Sequence, residues 1–229
     1  MSKPVSARAT ASDTPFSGAR EQFQLRRFSV LTPRVLVVGA STGGPQALAA
    51  LLPRIGPRLK DIPVVVVLHM PTNFTDVVTG QIAALTGQPT SAAINGEELR
   101  AGRIYFAPGD MHLKIVKVGP YYALAHFDGP PENFCKPAVD VLFRSAADAY
   151  GPGALGVVLT GMGSDGLEGA RRIVDAGGAV IVQDEASSAV WGMPGAVARA
   201  GLAAAVAPVS QLADAIAFRL GGSQKSEAS

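Results

Sequence analysis

Three apolar, largely β-branched runs constrain this chain more than any other feature. They open the segments VLVVGASTGG (35–44), VVVVLHMP (64–71) and GVVLTGMGSDG (156–166). An apolar run of this length without alternation reads as a parallel strand covered on both faces. Each run then breaks into glycine, proline or small polar residues, where a strand would give way to a loop or helix. Ligands of open parallel sheets bind outside the carboxyl ends of the strands. Ser41, His69 and Asp165 all fall at such ends.

The rest of the chain alternates strands with helices, which predicts a doubly wound, mainly parallel α/β sheet with helices on both faces. Strands are expected at 35–39, 64–68, 103–107, 154–160, 179–183 and 203–207. Helices are expected at 45–54, 72–86, 137–150, 167–176, 194–200 and 211–220. Thr72 or Asn73 would cap the second helix and Ser210 the last. The segments 113–118 and 121–126, joined by Gly119-Pro120, predict a small antiparallel hairpin. Residues 1–33 read as a flexible or loosely docked leader, 34–220 as the folded domain and 221–229 as a disordered tail.

With 229 residues, 48% of them hydrophobic and 17% charged, the chain can bury a substantial core. Its net charge is +2, and Lys3, Arg8, Arg20, Arg26 and Arg27 against Asp13 and Glu21 place +3 of it in residues 1–30. The folded part is therefore close to neutral, which gives no footprint for nucleic acid. Cys135 is the only cysteine, so no internal disulfide can form and a cytoplasmic setting is expected. No apolar run approaches the ~20 residues of a membrane span. Arg26-Arg27 resembles a twin-arginine export signal, but the next apolar stretch is too short for one.

In GASTGG, glycines between strand and helix permit a tight turn and leave N–H groups at the helix start. A phosphate-binding loop would need Lys and Ser/Thr where Pro45 and Gln46 stand. A dinucleotide loop would need different glycine spacing and an acidic residue ending the second strand. A nucleophile turn fits Ser41 and free N–H donors, while capping of the helix is an equally simple use of that serine. His69 ends the next strand in sequence and can serve Ser41 as general base. Asp165 can orient the imidazole or cap the helix that follows it. Asp184 and Asp140 are the competing carboxylates. Cys135, flanked by Phe134 and Lys136-Pro137, shows no strand–helix corner of the kind a nucleophile needs.

GASTGGPQAL, LHMPTNFT, GRIYFAPGDMHL, HFDGPPENFCKPAVDVLF, LTGMGSDGLEG and QDEASSAVWGMPGAV resemble, in order, the signature segments of the bacterial chemotaxis protein-glutamate methylesterase (CheB) family. The resemblance implies Ser41 as nucleophile, His69 as base, Asp165 as orienting carboxylate, and the N–H groups of Thr42 and Met162 as oxyanion donors. It implies hydrolysis of γ-glutamyl methyl esters on chemoreceptor cytoplasmic helices, releasing methanol, with deamidation of receptor glutamines as a second activity. No cofactor or metal is expected, and no membrane insertion. The family usually carries His-Arg-Pro where this chain has Cys135-Lys136-Pro137, and asparagine at Ser164. Its members usually begin with a receiver domain. Only about 33 residues precede the first strand here, which fits either a fragment or a natural single-domain form, and a single-domain form without control in cis is expected. Two other readings stay open: a non-catalytic binding module of a signalling array, and a small-molecule carboxylesterase.

Overall fold

The computed structural model describes residues 23–221. Seven parallel strands form one sheet in the order β3-β4-β2-β1-β7-β8-β9. These are β1 (Val35–Ala40), β2 (Val64–Leu68), β3 (Thr90–Ala92), β4 (Ile104–Phe106), β7 (Ala154–Val158), β8 (Ala179–Gln183) and β9 (Ala205–Ala207). The hairpin β5 (His112–Val118) and β6 (Tyr121–Phe127) pairs antiparallel, with Ile115 opposite Leu124. The helices are α1 (Gly44–Leu59), α2 (Thr75–Thr86), α3 (Val139–Tyr150), α4 (Leu167–Asp175), α5 (Met193–Arg199) and α6 (Val209–Arg219).

The β-branched runs build the sheet by sending alternate side chains to opposite faces. Leu36, Val38 and Ala40 of β1 join Val64, Val66 and Leu68 of β2 in one core layer, beneath α1, α2 and α6. Val35, Val37, Val65 and Val67 face the other layer, with α3, α4, α5 and the hairpin. From β1 the chain builds outward through β2 to β3 and β4, then returns to β7 on the other side of β1. The strand order therefore reverses between β1 and β7, where open sheets form their ligand crevice.

The structure differs from the sequence reading locally in three places. α1 continues past Arg54 to Leu59 despite Pro53 and Pro57, because Ile55, Gly56 and Leu59 extend its buried face while Pro57 stays exposed. β3, with the sequence TSA, is a half-exposed edge strand and carries no apolar run to announce it. Neither Thr72 nor Asn73 caps α2 by its side chain, and Pro208 takes the N-cap position of α6 in place of Ser210.

Within the segment read as leader, residues 23–33 make definite contacts with the body. Arg26 donates its backbone N–H to the Ala203 carbonyl at 2.9 Å and its Nε to the Gly201 carbonyl at 3.1 Å. Phe23 lies 5.6 Å from the Trp191 ring, and Phe28 packs against the core. Residues 1–22 of that leader and 222–229 of the tail lie outside the described residues. No helix among the described residues is long and apolar enough to cross a membrane.

Phe143 joins α3 to the sheet and to α4. Its ring edge would lie 3.1 Å from a Cβ on Gly156, and its own Cβ would lie 2.5 Å from one on Gly169. The two glycines make room for the aromatic side chain. Phe143→Ala should cost about 3–5 kcal/mol by leaving that room empty. Urea unfolding followed by circular dichroism measures this, and a loss under about 1 kcal/mol would mean that the layer recloses.

Candidate active site

Backbone register sets the site. Ala40 of β1 pairs with Leu68 of β2, so the next residues, Ser41 and His69, leave the sheet side by side. The His69 N–H donates to the Ala40 carbonyl at 2.9 Å, and the Ser41 N–H to the Thr160 carbonyl at 3.0 Å. Ser41 thus sits between the ends of β2 and β7. The Gly44 N–H closes a turn onto the Ser41 carbonyl at 2.7 Å, and Gly43 (φ 79°) supplies the left-handed step into α1.

The turn is held from beneath by a buried polar network. Thr160 donates its hydroxyl to the Thr42 carbonyl at 2.9 Å and accepts the Val190 N–H at 2.9 Å. The Thr160 N–H reaches Gln183 Oε1 at 2.8 Å, and Gln183 Nε2 reaches the Ser187 carbonyl at 2.8 Å. Trp191 Nε1 donates to the Gln183 carbonyl at 3.1 Å. Sequence reasoning missed Thr160 and Gln183. A polar residue ending an apolar run is their only signal. Gly161 completes the support: a Cβ there would fall 2.8 Å from Ser41 Cβ and 2.3 Å from Met193 Sδ.

His69 Nε2 lies 2.8 Å from Asp165 Oδ2, with the two side chains 15% and 2% exposed. Asp165 also accepts the Val139 N–H at 2.7 Å on Oδ2 and the Asp140 N–H at 2.9 Å on Oδ1. It does not cap the helix that follows it, whose N-cap is Gly166. It caps α3 instead, an arrangement favoured by the helix dipole. Burial alone would raise the Asp165 pKa. The His69 hydrogen bond and the two backbone N–H donors outweigh burial and hold it below the ordinary 3.8. Asp165 is therefore an ionised acceptor. In the neutral imidazole that places the proton on Nε2 and makes Nδ1 the acceptor nitrogen.

Asp184 is not at this site; its carboxylate accepts the Ser187 N–H at 3.1 Å. Among the described residues the Ser41 hydroxyl makes no hydrogen bond, and the Thr42 and Met162 N–H groups donate to no protein acceptor. His69 Nδ1 faces Cys135 Sγ at 3.6 Å. The loop that carries Cys135 turns through left-handed Asn133 and Phe134 (φ 51° and 62°), a path no sequence period reveals. Burial first, then the charges of Asp165 and Asp140, push the Cys135 thiol up to about 11, so it is protonated at neutral pH and a poor nucleophile. One ligand atom from each of His69, Cys135 and Asp165 lies within 4.8 Å of the others, a grouping able to meet a metal ion.

His112 and His126 serve the fold. Buried His112 bonds the Pro130 carbonyl through Nε2 at 2.9 Å and accepts the Ala138 N–H on Nδ1 at 3.1 Å, pinning both ends of the Cys135 loop. His126 Nε2 bonds the Ala93 carbonyl at 3.0 Å.

This is a doubly wound α/β domain that gathers a serine, a histidine–aspartate pair and unpaired backbone N–H donors at its topological switch point. The sequence model of the CheB methylesterase family matches residues 36–216, and the chain belongs to that family. It is 52% identical over 187 residues to the "protein-glutamate methylesterase/protein-glutamine glutaminase of group 2 operon" of Bradyrhizobium diazoefficiens, covering 82% of this chain and 47% of that protein. A Rhodopseudomonas palustris protein of the same name is 50% identical over 199 residues, covering 87% of this chain and 51% of that one. The chain thus spans about half the length of these curated relatives. The CheB methylesterase catalytic domain of Thermotoga maritima superposes with a TM-score of 0.79 at 34% identity, covering 82% of this chain and 99% of that domain.

Asp140 gives the site a pH signature. Burial is the largest influence on it; the Gly169 N–H opposes burial, the Asp165 charge adds to it, and the outcome is a pKa of about 6 against an ordinary 3.8. Between those values the native state holds a proton that the unfolded chain has released. Its contribution to stability is therefore full below about pH 4 and falls as pH rises through 6. Relative to Asp140→Asn, the wild type should lose on the order of 2–3 kcal/mol between about pH 4 and pH 7. Urea unfolding of both proteins across that range measures the difference. A pH-independent difference would show that Asp140 titrates alike in both states.

Proposed function

We propose that this domain hydrolyses γ-glutamyl methyl esters on chemoreceptor helices in the cytoplasm, releasing methanol. The observation that carries the proposal is the bond from His69 Nε2 to an ionised, buried Asp165, made at the end of a strand whose neighbour in the sheet ends in Ser41. Close relatives bearing the methylesterase name support the substrate.

Ser41 Oγ attacks the ester carbonyl carbon while His69 Nδ1 takes the hydroxyl proton. Asp165 keeps the imidazole oriented and stabilises its charged form. The carbonyl oxygen, now negative, is met by the Thr42 and Met162 N–H groups, which have no protein acceptor to leave. Collapse expels methoxide, which receives the proton from His69 and departs as methanol. Water, activated by the same nitrogen, then hydrolyses the acyl-serine and restores Ser41. A primary amide follows the same course with ammonia as leaving group, which accounts for glutaminase activity on receptor glutamines.

Ser41→Ala should reduce methanol release from methylated receptor fragments by at least about 10³-fold while leaving the unfolding midpoint near wild type. Gly161→Ala should also impair turnover, because its methyl group would displace Ser41. A folded Ser41→Ala protein with near-wild-type turnover would remove Ser41 from the mechanism. An inactive wild type that still binds receptor helices would favour a non-catalytic array module. Hydrolysis of p-nitrophenyl esters without activity on receptors would favour a small-molecule carboxylesterase.

A further inference from the structure

We propose that Cys135 and His69 together form an inhibitory zinc site at the mouth of the crevice. The proposal rests on the functional reading above in one respect: His69 Nδ1, the proposed base nitrogen, is the ligand that the metal would occupy.

Three features of this one spot support it. The first is the donor pair. A cysteine sulfur and an imidazole nitrogen are the combination that zinc selects over magnesium or calcium. The second is their separation. Zinc–sulfur and zinc–nitrogen bonds of about 2.3 and 2.0–2.1 Å at a tetrahedral angle hold sulfur and nitrogen about 3.6 Å apart. Cys135 Sγ and His69 Nδ1 are already 3.6 Å apart. The third is the support behind the histidine. Histidines that bind zinc commonly donate their other ring N–H to a carboxylate, which fixes the ring and raises its basicity. Asp165 Oδ2 stands 2.8 Å from Nε2, in that role.

Access is available as well. Cys135 is half-buried and the His69 side chain is 15% exposed, so an ion can enter from solvent and complete its coordination with water. On binding, the thiol proton leaves to solvent as the zinc–sulfur bond forms, and the Nδ1 lone pair becomes a metal bond. The proton acceptor for Ser41 is then lost. The same geometry that poises His69 as a base makes it a ligand, and Cys135 turns that into a site.

The test begins with zinc ions alone and the full chain. Titration calorimetry should show one ion bound per chain, and Cys135→Ser should weaken binding by at least about tenfold. Cobalt(II) should develop a thiolate-to-metal absorption band in the wild type that Cys135→Ser lacks. In the wild type, zinc should also slow modification of Cys135, the only cysteine, by N-ethylmaleimide, a readout that does not depend on a variant folding. Equal zinc affinity in wild type and Cys135→Ser, or no protection of the thiol, would overturn the proposal. Hydrolysis measured with and without a chelator separates the two readings. Zinc binding without any ester hydrolysis would sink the proposed function and leave the site standing. Hydrolysis indifferent to zinc at saturating occupancy would sink the inhibitory role.

Discussion

One buried carboxylate holds three parts of this molecule in register. Asp165 takes hydrogen bonds from the end of β2 through His69 and from the first turn of α3 through Val139 and Asp140. It stands itself on the loop leaving β7. Asp140 answers from α3: its Oδ1 accepts the Gly169 N–H at 2.6 Å, in the first turn of α4. Each helix is therefore capped by a carboxylate from outside its own N-terminal sequence. A helix start leaves N–H groups unpaired and carries partial positive charge, so a buried carboxylate there is stabilised as it stabilises the helix. The exchange fixes how α3 and α4 meet and, through His69, how the imidazole sits over the end of β1.

Much of this was legible in sequence, and the reason is local. Val64–Leu68 and Ala179–Gln183 lie where the apolar runs place them, because a strand buried on both faces needs nothing beyond its own residues to announce it. Ser41 and His69 come together because adjacent strands with short connections put consecutive strand ends side by side. Asp165 was legible as a strand-end carboxylate, whereas the helix it caps was not, since capping across space leaves no spacing signal. Cys135 was set aside for want of a strand–helix corner. Its place beside His69 depends on two left-handed residues and on two hydrogen bonds that His112, a residue more than twenty positions away, makes with the backbone on either side of it. Thr160 and Gln183 hold the turn beneath Ser41 by contacts of the same long-range kind.

Close packing sharpens the crevice that the topology opens. Gly161 lets the chain leaving β7 run against Ser41, where even a methyl group would collide. Its N–H reaches the Val190 carbonyl at 2.9 Å, and its carbonyl accepts the N–H groups of Gly192 and Met193 at 3.1 and 2.9 Å. The segment after β8 is thereby tied under the loop that carries Met162. The Met162 N–H, next to this anchored residue, donates to no acceptor among the described residues.

The two aspartates divide their labour by environment. Both are buried, and both accept backbone N–H groups at a helix start. Asp165 receives two such groups and the imidazole N–H, enough to keep it charged against desolvation. Asp140 receives one backbone N–H and the Asn133 side-chain amide at 2.8 Å, and it lies within the field of Asp165. Desolvation and like charge prevail there, and its pKa rises. The pair is most stabilising with Asp165 charged and Asp140 neutral, near about pH 4, and loses stability as pH rises through 6. At neutral pH the ionised Asp140 therefore opposes folding while Asp165 still holds the His69 ring. The caps that α3 and α4 exchange, together with the apolar layer around Phe143, offset that opposition and keep the strand ends in place.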